Sequence, residues 1–170
     1  RPLMAPIYVV ETWLFGLHPL PYHVVNLGLH LLITLLLCRL VWALTGNSLA
    51  GIIAALFFGI SPTYAGSVAW MATLNELTAV SFYMLTLVLV VHAVQHRRRS
   101  WLYWAGSFFT YLLALLAWEA AITVVAVLGF YALYARGIQQ RRWRRLIIEL
   151  APFALLAGGY CGFNSVSYTH

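Results

Sequence analysis

Three stretches of this chain, residues 23 to 44, 77 to 94 and 101 to 118, are each long and apolar enough to cross a lipid bilayer as a helix. A hydrocarbon core about 30 Å thick takes roughly 20 helical residues, with about 17 to 25 tolerated, and that length sets the segmentation. Residues 49 to 60, 120 to 135 and 146 to 163 are also apolar but short or interrupted. The stretch at 49 to 60 runs toward Pro62, where a helix either kinks and continues or gives way to a re-entrant segment. The reading is an all-α, polytopic transmembrane bundle of about six spans. With 63% hydrophobic and 8% charged residues and a mean hydropathy of +0.85, a soluble domain with a polar shell is excluded.

The opening "RPLMAPIYVVETWLFGLHPLPYH" differs, because prolines and the polar pair Glu11-Thr12 interrupt it. A helix from about 6 to 17 is too short to span and is expected in the interface, ended by Gly16 and Pro19. Residues 1 to 22 are thus read as an outer interfacial segment and 23 to 163 as membrane spans, within a single transmembrane region of a longer protein. Orientation follows from the basic residues, all ten of them arginine. If residues 1 to 22 lie outside, the connections at 45 to 48, 95 to 100 and 136 to 145 fall inside. They contain "HRRRS" and "RGIQQRRWRR", Arg39 lies near the inner end of the first span, and Arg1 alone stays outside. The pI near 9.7 is therefore a topology signal, and no nucleic-acid partner is expected. An integral, multi-pass protein of a bacterial inner membrane or the endoplasmic reticulum follows, with its working face extracytoplasmic or lumenal.

Three of the four carboxylates, Glu11, Glu76 and Glu119, converge on that outer face with His18, His23, Tyr64, Trp70, Trp118 and His170. His23, Asn26, His30 and Thr34 fall on one narrow helical stripe among leucines, which must face protein or water. Interhelical hydrogen bonding accounts for His30 and Thr34; for His23, beside His18, packing and a functional role stay open. Glu119 sits where a helix ends or restarts, and reads either as a functional carboxylate or as a cap favoured by the helix dipole. Glu76 suits the first turn of the span at 77, and Glu149 an interfacial pair with the arginine run. The arginine runs are topology determinants that also meet anionic lipid, with His92 and His96 as bystanders. Most tryptophans fit an aromatic belt, while Trp70 and Trp118 have a second reading as site walls. Glu11, His18 and His23 match no metal-ligand spacing, so no metal and no cofactor is expected. Cys38 and Cys161 read as apolar filler without a disulfide. There is no GxSxG, P-loop or HExxH.

The order of short motifs adds a further clue: "RPL" at 1 to 3, the acid at 11, "LFGLHP" at 14 to 19, "YHVVNLGLH" at 22 to 30, "SPTYAGSVAW" at 61 to 70 with Glu76, and "LLAWEAAITV" at 115 to 124. Together they resemble the GT-C membrane glycosyltransferases, and within them the protein O-mannosyltransferase-like, TMTC-type branch. The family's Tyr-His and downstream Asn and His correspond to Tyr22, His23, Asn26 and His30. Its His-Pro, Glu, Trp and Arg-x-Asp/Glu positions correspond to Ser61-Pro62, Gly66, Trp70 and Leu74-x-Glu76, so three polar residues are replaced. Its Ser-Lys-Glu corresponds to Ala117-Trp118-Glu119, which keeps the carboxylate and loses the lysine.

The resemblance implies transfer of a sugar from a polyprenyl- or dolichyl-phosphate carrier to a protein or glycan acceptor on the extracytoplasmic side. It implies an acidic catalytic residue in a first outer loop, expected upstream of Arg1, so no catalytic residue is assigned within this chain. The candidates for donor binding are Arg1, Glu11, His18, His23, Asn26, Trp70, Glu76, Trp118 and Glu119, with membrane lipid as a further partner. The alternative is a non-catalytic transporter or lipid-handling scaffold of the same all-helical class.

Overall fold

The computed structural model describes the backbone of residues 3 to 62, 66, 70, 73 to 95, 100 to 139 and 143 to 168, with side chains described outside 132 to 147, 149 and 163 to 168. The elements are helical: α1 (Met4–Phe15), α2 (Pro19–Thr45), α3 (Ser48–Gly59), α4 (Leu74–Gln95), α5 (Ser100–Ala117), a 3-10 turn (Glu119–Ile122), α6 (Thr123–Gln139) and α7 (Trp143–Tyr168). α2, α4 and α5 are long and apolar enough to cross a membrane. α1, α3 and the stretches Glu119–Tyr131 and Leu150–Gly162 are apolar but shorter.

Local chemistry explains the breaks. α1 stops at Gly16, whose φ of 57° suits a residue without a Cβ and whose N–H returns to the Thr12 carbonyl at 2.9 Å. The proline-rich stretch after it was expected to precede a span beginning at 23, yet α2 starts at Pro19. Prolines 19 and 21 fall in the first turn, where a backbone N–H has no intrahelical acceptor to lose. α2 ends at Gly46, left-handed with φ 72°, and Asn47 caps α3 by accepting from the N–H groups of Leu49 and Ala50. α3 closes at Gly59, ahead of Pro62, so it does not run on through the proline.

α2 and α4 run side by side in the same direction, and two long-range bonds fix this. Asn26 of α2 donates to the Trp70 carbonyl just before α4, and at the other end Gln95 of α4 donates to the Ala43 carbonyl of α2. α3 folds back on α2, and α5 on α4. Small residues let the first hairpin close: a methyl group at Gly51 would fall 2.6 Å from the Cys38 carbonyl oxygen, and one at Gly59 3.3 Å from Thr34. In the second hairpin the hydroxyls of Thr86 and Thr110 meet at 2.9 Å. The main core lies beyond them, where Leu87 and Val90 of α4, Tyr111 and Leu115 of α5, Val124 and Leu128 of α6 and Phe153 of α7 come together. Phe153 is its centre, packed on Tyr111, Trp104 and Phe108 at ring separations of 5.4, 6.2 and 6.0 Å.

Burial on α2 is inverted relative to a water-soluble helix. Asn26 and His30 are buried, while Leu27, Leu31, Leu35 and Val24 are exposed, and only 17% of its most apolar window is covered. A helix that hides its polar stripe and presents leucine outward is built for a lipid solvent. The fold is thus a helical membrane bundle, as the sequence leads one to expect.

Candidate functional site

The end of the bundle at which α2 and α4 begin is closed by α1. Met4 is buried against Leu74 and Ala79 of α4 and Ala117 of α5, with Leu3, Ile7, Val25, Leu29 and Trp118 packed around them. The Leu3 N–H reaches the Leu116 carbonyl at 3.4 Å, which ties the start of α1 to the end of α5. The far end of α1 returns to α2, where the Tyr22 hydroxyl donates to the Gly16 carbonyl at 2.8 Å and the Tyr22 ring meets Phe15 edge-on. α1 therefore lies across one end of the bundle.

Met4, Ile7 and Glu11 follow one another at helical spacing, so Glu11 sits on the face of α1 turned to the bundle and is buried. Burial pushes its carboxyl pKa above the ordinary value. Asn26 is 1% exposed, and its side-chain amide donates at 2.9 Å to the Trp70 carbonyl, which also accepts from the Thr73 hydroxyl at 2.6 Å. What α2 holds is thus the Trp70 backbone, while the indole is 72% exposed. Asn26 and Thr73 thus fix the Trp70 backbone and leave its aromatic ring exposed.

Glu76 lies in the first turn of α4 and is half-buried. Trp118 is extended, with φ −157° and ψ 133°, and breaks the helical path between α5 and the 3-10 turn. Its half-buried ring packs on the Met4 cluster. Glu119 opens the 3-10 turn and is exposed. A carboxylate at the restart of a helix is what the sequence suggested, and the position suits both the cap and the functional reading.

His18 and His23 are exposed at the start of α2. The polar stripe on α2 divides: His23 faces out, whereas His30 is buried and stacked on Phe58 at 5.2 Å, with Nε2 3.3 Å from the Gly59 carbonyl. Thr34 donates to the His30 carbonyl. His30 and Thr34 thus belong to the α2–α3 seam, the packing role read for them from sequence. Glu11, His18 and His23 do not come together, and among the described residues no three His, Cys, Asp or Glu side chains gather as a metal site would require. Arg1, Tyr64 and His170, the runs at 97 to 99 and 141 to 142, and the side chains of Arg136, Arg144, Arg145 and Glu149 lie outside the described residues.

Between α4 and the turn lies a cavity of about 360 Å³, which sequence reasoning missed. Ala79, Tyr83 and Met84 form one wall, and Trp118, Ala121 and Thr123 the other. The lining is almost wholly apolar, so it accepts hydrocarbon rather than a hydrated sugar. Its walls begin three residues after Glu76 and flank Glu119, so two carboxylate-bearing turns adjoin an apolar slot. The only signal in the sequence was Ala79 one turn before Tyr83; a slot depends on how two helices cross, which no single segment encodes.

No family model matches the chain, and no solved structure matches it. Among curated proteins, 137 residues, 79% of the chain, are 28% identical to "Protein O-mannosyl-transferase TMTC2" of Mus musculus, and the same extent is 28% identical to that of Homo sapiens. The corresponding protein of Xenopus laevis is 29% identical over 139 residues. The chain spans 16% of the length of each of these relatives, to which it is distantly similar.

Proposed function

We propose that this chain is the membrane part of a GT-C-type glycosyltransferase that moves a sugar from a polyprenyl- or dolichyl-phosphate donor to a protein or glycan acceptor on the extracytoplasmic side. The observation that carries the reading is the apolar slot between the turns of Glu76 and Glu119, at the end capped by α1. A lipid-linked sugar is amphipathic and needs that combination: hydrocarbon surface for the carrier and polar groups beyond it for the phosphate and sugar. Two further supports are the similarity to proteins named O-mannosyl-transferases and the arginine asymmetry of the sequence, which favours an extracytoplasmic position for this end.

In this reading the slot holds the proximal isoprene units. Glu76 and Glu119 accept hydrogen bonds from sugar hydroxyls, and Trp118 shields the reacting centre from water. The acceptor hydroxyl attacks the anomeric carbon as a carboxylate takes its proton, and the bond from that carbon to the phosphate oxygen breaks. The lipid phosphate leaves with the electron pair, with inversion at the sugar. The family resemblance assigns the proton acceptor to residues preceding Arg1, which leaves the carboxylates of this chain as donor-positioning groups.

Glu76→Gln and Glu119→Gln in the full-length protein test this by sugar transfer from the lipid-linked donor. Removing a charged hydrogen-bond partner is expected to lower transfer by at least about tenfold; undiminished transfer overturns the site. The largely apolar lining also suits a lipid-handling scaffold, which predicts donor binding without transfer by the wild-type protein.

A further inference from the structure

The opposite end of the bundle carries a second cavity, of about 380 Å³, between the ends of α2 and α4. It is lined by Arg39, Trp42, Ala43, Gly46, His92 and Gln95. The sequence builds it simply: Ala43 and Gly46 leave the end of α2 without bulk, and Gln95 bridges to the Ala43 carbonyl at 2.6 Å and fixes the separation of the two helices. His92 is held as a wall, with Nδ1 2.8 Å from the Val88 carbonyl and its ring 5.9 Å from that of Tyr103. The volume lies in the range of small-ligand sites.

Arg39 determines what fits there. Its guanidinium carbon lies 5.2 Å from the Trp42 ring centroid, so the indole holds one face of the group and leaves the in-plane N–H fork, which matches phosphate oxygens. The side chain is exposed, and the carboxylates whose side chains are described, Glu11, Glu76 and Glu119, belong to the other end of the bundle. The chain carries a formal charge of +6, and beyond Gln95 its sequence continues directly into His96-Arg97-Arg98-Arg99. An exposed guanidinium held against an indole at the mouth of a cavity calls for an anion.

The surface leading to Arg39 says which kind. Leu27, Leu31, Leu35 and Arg39 recur every fourth residue and form one ridge along α2, and all three leucines are exposed. From Leu27 to Arg39 the ridge rises about 18 Å, close to the depth of one hydrocarbon leaflet at about 15 Å. A soluble phosphoester would meet the guanidinium and leave this track unused.

We propose that α2 and α4 form a binding site for an anionic phospholipid of the inner leaflet, with its phosphate on Arg39 in the cavity and an acyl chain along Leu27, Leu31 and Leu35. His92, a bystander in the sequence, becomes part of the pocket wall. This site is separate from the proposed sugar-transfer end and stands or falls independently of it.

Native mass spectrometry of the detergent-solubilised full-length protein tests it, by titration with phosphatidylserine, phosphatidylcholine and, separately, glycerol 3-phosphate. Phosphatidylserine is expected to be retained more tightly than phosphatidylcholine. Arg39→Gln is expected to weaken that retention about fivefold, the usual worth of one basic side chain at an anionic surface. Arg39→Lys should restore most of the loss. Leu31→Ser should weaken phosphatidylserine retention while the protein's melting temperature in phosphatidylcholine stays unchanged. Equal retention by wild type and Arg39→Gln overturns the proposal, as does an equal loss of phosphatidylserine and phosphatidylcholine retention in Arg39→Gln, which marks a site blind to the lipid's charge. Glycerol 3-phosphate bound as tightly as phosphatidylserine overturns the lipid as the source of the phosphate.

Discussion

A single buried carboxyl gives the most specific prediction at the residue scale. Glu11 has its pKa raised by burial, so the folded state holds its proton at pH values where the unfolded state has released it. With more protons bound when folded, stability falls as pH rises from the ordinary carboxylate value of 4.5 through the raised folded-state value, and stays lower above it. Glu11→Gln should therefore be more stable than the wild type at pH 7 and equal to it at pH 4; melting curves at both values check this, and an equal or lower melting temperature at pH 7 contradicts it. Asn26 makes a second case, because its amide supports the Trp70 carbonyl across 44 positions of sequence. Asn26→Leu should destabilise by about 0.6 to 1.7 kcal/mol, the range for interhelical hydrogen bonds in membranes. Thr73 still satisfies that carbonyl, so a value toward the lower end is expected in a denaturation titration in mixed micelles. The polar stripe was legible because leucine on all sides leaves Asn26 and His30 nowhere to go but inward. That the Asn26 amide would reach the Trp70 backbone was not, since its partner is a carbonyl with no sequence signature.

Helix packing carries the next scale. Gly51 lies so close to α2 that Gly51→Ala sets a methyl group 2.6 Å from a backbone carbonyl that cannot rotate away. The hairpin must open, at a cost of about 1 to 3 kcal/mol. Gly28→Ala is the control: nothing lies within 4 Å of its added methyl, and it should be neutral or stabilising by up to about 1 kcal/mol. Thermal unfolding of the two variants side by side separates packing from propensity, and equal melting temperatures refute the close approach. The cores of the helices were readable from length and hydropathy alone: 49 to 60 against Ser48–Gly59, 77 to 94 against Leu74–Gln95, 101 to 118 against Ser100–Ala117. The ends were not, and α2 shows why. Proline reads as a breaker, yet Pro19 and Pro21 sit in the one turn where a missing N–H costs nothing. At Glu119 the carboxylate marked a restart, but its 3-10 form over Glu119–Ile122 was not legible, as Ala120, Ala121 and Ile122 suit an α-helical turn equally well.

At the scale of the molecule, the two ends are chemically distinct: carboxylates, exposed histidines and an apolar slot at one, and a cation with its indole at the other. The arginine asymmetry predicts that the carboxylate end is extracytoplasmic. Leu17→Cys, at a position 99% exposed beside Gly16, should react with a membrane-impermeant maleimide in sealed cells when placed in a background lacking Cys38 and Cys161. Ser48→Cys at the other end should react only after permeabilisation, and the reverse pattern inverts the topology. The bundle's class was visible in the sequence, because hydropathy is a local property. The slot was invisible, because it arises from the crossing of α4 with the segment after α5. That slot is also where the central claim meets experiment most directly. A polyprenyl-phosphate sugar bearing a diazirine on its first isoprene unit, photolysed with the full-length protein, should label peptides containing residues 79 to 84 or 118 to 123; labelling confined to other parts of the chain would contradict the assignment.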